Sequence, residues 1–278
     1  MIQWYPGHMT KSIRMMRENI KLVDIVIEIL DARIPRSSAN PDIIELAKGK
    51  KRLTVLNKSD LADPEITKLW VKHFEGKALA VNSIGGDGFG ELAKACHELT
   101  QEKLAKAKRQ GRLSIPIRAM IAGIPNSGKS TLINRFVGKN PAKTGNKPGV
   151  TRGRQWIRLK QGFDLLDTPG ILWPKIEDES VGVNLAITGA ISDNVPDALE
   201  LAAALIRILE KYYPLAISER YKLEANKPNP DEDNILNKIA LARGYEKQQA
   251  ESDIDRAASA LINDFRSGRL GRISLEKP

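Results

Sequence analysis

The sequence predicts an α/β domain with a mostly parallel sheet, followed by an all-α domain. Three observations predict it. Short apolar runs alternate with helical spacing through residues 1–177, the pattern of strand–helix–strand units. One run opens into Gly123-Ile124-Pro125-Asn126-Ser127-Gly128-Lys129-Ser130-Thr131, which fits G-x-x-x-x-G-K-[ST] between a strand and a helix. Across residues 178–278 the apolar spacing is helical throughout.

Composition fits two domains. The chain has 278 residues, of which 41% are apolar, enough for a core in each. A net charge of +10 suits a polyanionic partner, although a merely soluble basic protein has the same balance. The single cysteine, Cys96, excludes an internal disulfide and fits a helix core in a reducing compartment. No apolar run reaches the roughly 20 residues of a membrane span. The start, Met1-Ile2-Gln3-Trp4, carries no signal-peptide pattern, so a cytoplasmic, membrane-free protein is expected.

In chain order, Thr10 is placed to cap a helix with Ile13, Met16 and Ile20 on one face. Residues 23–30 are almost continuously apolar, as a strand covered on both faces must be, and end in Asp31-Ala32-Arg33-Ile34-Pro35. Asn40 followed by Pro41 starts a short helix. Residues 53–56 form the next strand and run into Asn57-Lys58-Ser59-Asp60. Asp63 and Pro64 cap a helix with Ile66, Leu69 and Trp70 on one face, and residues 78–81 make a third strand ending in Asn82-Ser83-Ile84-Gly85-Gly86. His73 and His97 sit in helical patterns as surface or packing residues. Residues 101–112 carry Lys103, Lys106, Lys108, Arg109 and Arg112, either a nucleic-acid-facing surface or a solvated helix face. Residues 117–122 feed the glycine loop, and 131–137 begin the helix behind it. Residues 155–159 and 163–166 are strands joined at Gln161-Gly162, the second ending in Asp167-Thr168-Pro169-Gly170.

Each loop has a chemical reading. Backbone N–H groups of the glycine loop, through Asn126, Ser127, Gly128 and Thr131, close around phosphate oxygens at a helix N-terminus. Lys129 reaches the β- and γ-phosphates, and Ser130 binds magnesium. Asn57-Lys58-Ser59-Asp60 is N-K-x-D at a strand end. Asp60 can accept from guanine N1–H and the N2 amine, Asn57 can meet the N7 side, and the Lys58 stem can cover the ring. As a four-residue stretch it is also an ordinary polar turn. The loop with Ser83 and Ile84 suits a backbone contact to guanine O6. Thr151, in a Gly- and Lys-rich stretch, can complete the magnesium shell as a switch residue. Asp167 suits water-mediated contact with magnesium, and the Gly170 N–H suits the γ-phosphate.

The motifs resemble those of small GTPases of the translation-factor class, in rotated order: the guanine-reading elements precede the phosphate loop. With Trp4-Tyr5-Pro6-Gly7-His8-Met9, Asp31-Ala32-Arg33-Ile34-Pro35, Pro148-Gly149-Val150-Thr151 and Asp167-Thr168-Pro169-Gly170-Ile171-Leu172-Trp173-Pro174, the chain resembles the bacterial ribosome-biogenesis GTPase A family over its whole length. The resemblance implies a circularly permuted P-loop GTPase domain at 1–177 and a helical, RNA-binding domain at 178–278. It implies GTP and GDP as ligands, magnesium as cofactor, and a monomer acting on a large-subunit precursor and its rRNA. Many GTPases carry a glutamine directly after D-x-x-G to orient water. Here Ile171 stands there, which implies slow turnover alone. His8 is the resemblance's candidate for that role, and a turn-holding histidine is the alternative. A potassium ion on Asn126 is the other candidate.

In the second domain Leu199, Ala202, Ala203, Ile206 and Leu209 share a face, as do Ile235, Ile239 and Ala242. Ser252 and Asp255 resemble a capping box before Ile254, Ala257, Leu261 and Phe265. Arg266, Arg269 and Arg272 lie among glycines, as RNA-phosphate contacts or as arginines at a helix C-terminus. Because 1–177 is permuted, the segment after Gly170 leads into this domain, so γ-phosphate contacts can set its placement. A non-catalytic switch, and a target in tRNA or small-subunit RNA, are the competing readings.

Overall fold

A computed structural model describes residues 7–111, 115–137, 155–159, 162–191, 197–223, 232–245 and 250–278. The chain divides into two compact units, Met1–Glu177 with Glu276–Pro278, and Asp178–Leu275. Residues 276–278, expected in the helical domain, therefore pack with the first unit.

The first unit contains, in order, α1 (Gly7–Asn19), β1 (Ile25–Asp31), α2 (Pro35–Ser38), α3 (Pro41–Leu46), β2 (Lys51–Asn57), α4 (Pro64–His73), β3 (Ala78–Val81), α5 (Phe89–Arg109), β4 (Ile117–Gly123), α6 (Lys129–Val137), β5 (Gln155–Leu159) and β6 (Phe163–Asp167). The strands form one six-stranded sheet in the order β3-β2-β1-β4-β6-β5. All neighbours run parallel except β5, which pairs antiparallel with β6. The strand feeding the phosphate loop, β4, lies between β1 and β6, so the rotated chain order still closes into a continuous sheet.

Every residue of β1 is buried, as expected of a central strand covered on both faces. Its alternating side chains divide between two cores. Ile25, Ile27 and Ile29 pack with Leu92, Cys96, Leu132 and Ile133, beneath α5 and α6. Val26 packs with Met16, Ile43, Met120 and Ile171, beneath α1 and α3. Asn40 caps α3 by accepting from Asp42 N–H, and Asp63 caps α4 by accepting from Glu65 and Ile66 N–H.

Two expected details change. α1 begins at Gly7, so Thr10 lies inside it rather than capping it. In α4 the buried face is Ile66, Thr67 and Trp70, while Leu69 is exposed. The Thr67 hydroxyl can be buried because it donates to Asp63 O at 2.7 Å. Glu276 accepts from the backbone N–H groups of Arg36 and Ser37 and from the Ser37 hydroxyl, and its carbonyl accepts from Trp70 Nε1.

The second unit contains α7 (Glu179–Ile187), α8 (Ala198–Tyr212), α9 (Ala216–Tyr221), α10 (Glu232–Ala242) and α11 (Ala250–Arg266). Its core joins Leu201, Leu205 and Leu209 of α8, Ile235 and Ile239 of α10, and Ala257, Leu261 and Phe265 of α11. Ala242 is exposed, because Leu236 and Ala240 complete that face of α10. Ser252 lies within α11 rather than ahead of it, and its side chain is outside the described residues.

Asp264, 1% exposed, ties this unit together. It accepts from Arg220 Nε at 2.8 Å, Arg243 Nη2 at 2.7 Å, Arg269 Nη1 at 3.2 Å and the Tyr221 hydroxyl at 3.0 Å. Burial alone would raise its carboxyl, but these donors hold it down at about 2. Asp264→Ala leaves four donors without their acceptor. It is expected to destabilise this unit by about 3 kcal/mol, the scale for breaking a buried ion pair, measurable by urea unfolding.

Candidate functional site

The parallel strands deliver their loops to one edge of the sheet: 31–33 from β1, 57–60 from β2, 82–83 from β3, the glycine loop from β4, and 167–170 from β6. That is the edge where open α/β sheets bind ligands.

Asn57 joins three of these loops. It is 1% exposed, donates from Nδ2 to Ser127 O at 2.8 Å, and accepts on Oδ1 from Ser83 Oγ at 2.6 Å and Ser83 N at 3.2 Å. Gly128, at φ +92°, permits this closure, since a Cβ there would lie 2.2 Å from Asn57 Nδ2. Asn57, expected at guanine N7, is thus first a brace between the 57–60 loop, the Ser83 loop and the glycine loop. The Ile84 N–H, expected at guanine O6, donates instead to Asn82 Oδ1 at 3.0 Å, and the Ile84 side chain is 77% exposed.

Lys58 takes a left-handed backbone conformation, φ +59°, and extends Nζ to Asp31 Oδ2 at 2.9 Å. Arg33 grips the same carboxylate, Nε to Oδ1 at 2.9 Å and Nη2 to Oδ2 at 2.7 Å. Burial alone would raise Asp31, but Arg33 and then Lys58 hold it well below the usual carboxylate range. Burial pushes the Lys58 ammonium down, while Asp31 and the nearby Asp60 favour its charged form. Sequence reasoning missed this pairing; the available signal was an Asp-x-Arg at a strand end beside the N-K-x-D loop.

Lys129 opens α6. It is 7% exposed and donates from Nζ to Ile124 O at 2.6 Å. Burial pushes its ammonium down to about 8, with the Asp167 carboxylate opposing and Lys58 adding to the fall. Ser130 and Thr131 follow, partly exposed, in the first turn of the same helix. Asn126 is exposed at φ +56°, a conformation asparagine tolerates.

Gly170 lies directly against the phosphate loop. A Cβ there would come within 2.7 Å of Pro125 Cα and N and 2.9 Å of Lys129 Nζ. Gly170→Ala must therefore push the two loops apart. Overpacking of this kind costs about 1–3 kcal/mol. GTP-analogue affinity is expected to fall about tenfold, with a smaller loss for GDP, measurable by fluorescence titration.

Asp167 pairs in register with Ile121 of β4, and its carboxylate is close enough to act on the Lys129 ammonium of the glycine loop. With the Ser130 hydroxyl it offers the hard oxygen donors that suit magnesium, which takes one or two protein oxygens alongside phosphate and water. Among the described residues no cluster of three or more His, Cys, Asp or Glu offers a metal cage. Ile171 is fully buried, with its N–H to Gly123 O and its carbonyl accepting from Asn40 Nδ2. It anchors the core and offers nothing to water.

Thr151 and the side chain of His8 lie outside the described residues. Of the three C-terminal arginines, Arg266 donates to Ala186 O and Ile187 O at the end of α7, a fold role rather than the expected phosphate contact. Arg269 binds Asp264 yet stays exposed, and Arg272 is exposed. Among the described residues no helix is long and apolar enough to cross a membrane.

Residues 118–228 match a family model described as 50S ribosome-binding GTPase. The chain is 47% identical to ribosome biogenesis GTPase A of Bacillus licheniformis, covering 100% of this chain and 98% of that protein. It is 32% identical to the protein of the same name from Thermotoga maritima, covering 100% and 95%. GNP-bound and GDP-bound structures of YlqF from T. maritima superpose with TM-scores of 0.65 and 0.64 at 26% and 25% identity, over 96% and 95% of this chain and 98% of each of theirs. With full-length identity at that level and the loops of a GTP site gathered on one sheet edge, the chain is a GTPase and belongs to the ribosome biogenesis GTPase A family.

Proposed function

We propose that this GTPase binds precursors of the large ribosomal subunit, promotes their assembly, and leaves after hydrolysing GTP. The observation that carries the proposal is the full-length 47% identity to a protein named for ribosome biogenesis. The basic balance, +10, suits an rRNA partner. The protein acts as a cytoplasmic monomer.

In this reading Asp60 selects guanine, Lys58 covers the ring, and Asn57 locks the base loop to the phosphate loop. The glycine-loop N–H groups and Lys129 hold the β- and γ-phosphates. Ser130, Asp167 and Thr151 would hold magnesium, which when bound would supply positive charge to offset that on the phosphates. Gly170, pressed against Pro125, senses the γ-phosphate and passes its position along the chain toward the helical unit, so affinity for the ribosomal particle follows the nucleotide state. Since Ile171 is buried and apolar, water must be oriented from elsewhere, by His8 or by potassium on Asn126. Turnover is accordingly slow alone and stimulated by the subunit.

Co-sedimentation with isolated ribosomal subunits tests this. Binding to large subunits with a GTP analogue, weakened with GDP, is expected. Binding confined to small subunits, or to tRNA, overturns the target.

A further inference from the structure

The nucleotide site uses one edge of the sheet, and the opposite edge holds a second basic site. A cavity of about 500 Å³ opens there between Lys50, Lys51 and Arg52 at the start of β2, Lys77 before β3, and His73 and Phe74 at the end of α4. Four cationic side chains meet one carboxylate, Glu75. At about 3.3 Å per residue, β2 places this cavity roughly 20 Å from Asn57. It is separate from the GTP site.

Local partners do not cancel the charge. Lys51 Nζ lies 4.0 Å from Glu102 and Lys77 Nζ 3.4 Å from Glu75, both as exposed pairs that solvent screens. Arg52 lies 4.0 Å from Glu28, whose carboxyl burial pushes up to about 7, so that partner is only partly ionised at neutral pH. The tail of α5 extends the surface. Lys103 Nζ reaches Asp24, the residue before β1, at 2.5 Å, which brings the exposed Lys106, Lys108 and Arg109 to the same edge.

We infer that this edge of the α/β unit binds single-stranded RNA, with phosphates on Lys51, Arg52, Lys77 and the α5 tail and an unpaired base stacked on His73. The ring is exposed and braced edge-on by Trp70 at 5.2 Å and Phe74 at 5.7 Å, a stacking platform beside phosphate-binding cations. An acidic peptide would use the charges and not the ring. The helical unit's own cavity is less basic, with Arg243, Arg256 and Arg269 facing Asp255 and Asp264. The inference rests on the ribosomal reading and adds to it a second RNA contact on the GTPase unit.

The test compares full-length wild type with K51Q/R52Q/K77Q and, on the exposed helix tail, K106Q/K108Q/R109Q. Binding of protein-free large-subunit rRNA, and of a short single-stranded RNA, is titrated across salt. Labelled GDP checks that the nucleotide site is intact. Each phosphate contact contributes about 0.7–0.9 to the slope of log affinity against log salt, so each variant should lose about 2 units of slope. GDP affinity should stay unchanged, and His73→Ala should weaken the short RNA without altering the slope. Unchanged slopes in both variants overturn this site while leaving the ribosomal reading standing. Failure of wild type to bind either RNA overturns both. Equal competition by polyglutamate overturns RNA as the ligand class.

Discussion

Asp60→Asn is expected to lower affinity for guanosine nucleotides by about three to four orders of magnitude and to raise affinity for xanthosine nucleotides. In the proposed reading the carboxylate accepts from N1–H and from the N2 amine together. Asparagine turns one acceptor into a donor that faces the N2 amine, while xanthine offers an oxygen there and restores the match. Asp60 is partly exposed in the loop after β2, so the fold should survive the change. Competition between guanosine and xanthosine diphosphates checks it. Equal losses for both bases, or none, would place the base elsewhere.

Lys129→Met should weaken GDP and GTP binding by about 30-fold to several thousandfold, the ~2–5 kcal/mol of one partner in a buried charge pair. Its pH dependence has a definite sign. Without nucleotide, burial holds the ammonium down at about 8, and phosphates bound as proposed would favour the protonated form. Wild-type affinity should therefore be flat below that value and fall above it, by up to about tenfold per pH unit. Lys58, also pushed down by burial, remains in the variant and leaves it a smaller slope. For folding the sign is reversed. The group titrates at about 8 folded against 10.5 unfolded, so the nucleotide-free protein gains stability as pH rises between them.

Much of the first unit could be read from consecutive residues. Apolar runs fixed its strands, because a parallel strand buried on both faces has little room for polar side chains. The glycine loop, N-K-x-D and D-x-x-G are each contiguous, so their chemistry was visible together with their order. What stayed hidden depended on partners far along the chain. Nothing near Asn57 announces that its amide bonds Ser127 and Ser83, and although Arg33 stands two residues from Asp31, Lys58 comes to the same carboxylate from 27 residues away. Helical spacing alone also could not choose between Leu69 and Thr67 on α4, since a hydroxyl that bonds the preceding turn is as easily buried as a leucine. Arg266 looked like a phosphate contact because the carbonyls it satisfies belong to α7.

A crystal structure with a non-hydrolysable GTP analogue and magnesium is the most direct measurement. It should place the Asp60 carboxylate within hydrogen-bond reach of guanine N1 and N2, Lys129 Nζ on the β- and γ-phosphates, and Asn57 still bonded to Ser127. Electron density showing the base away from Asp60, with the phosphates outside the 123–131 loop, would contradict the account.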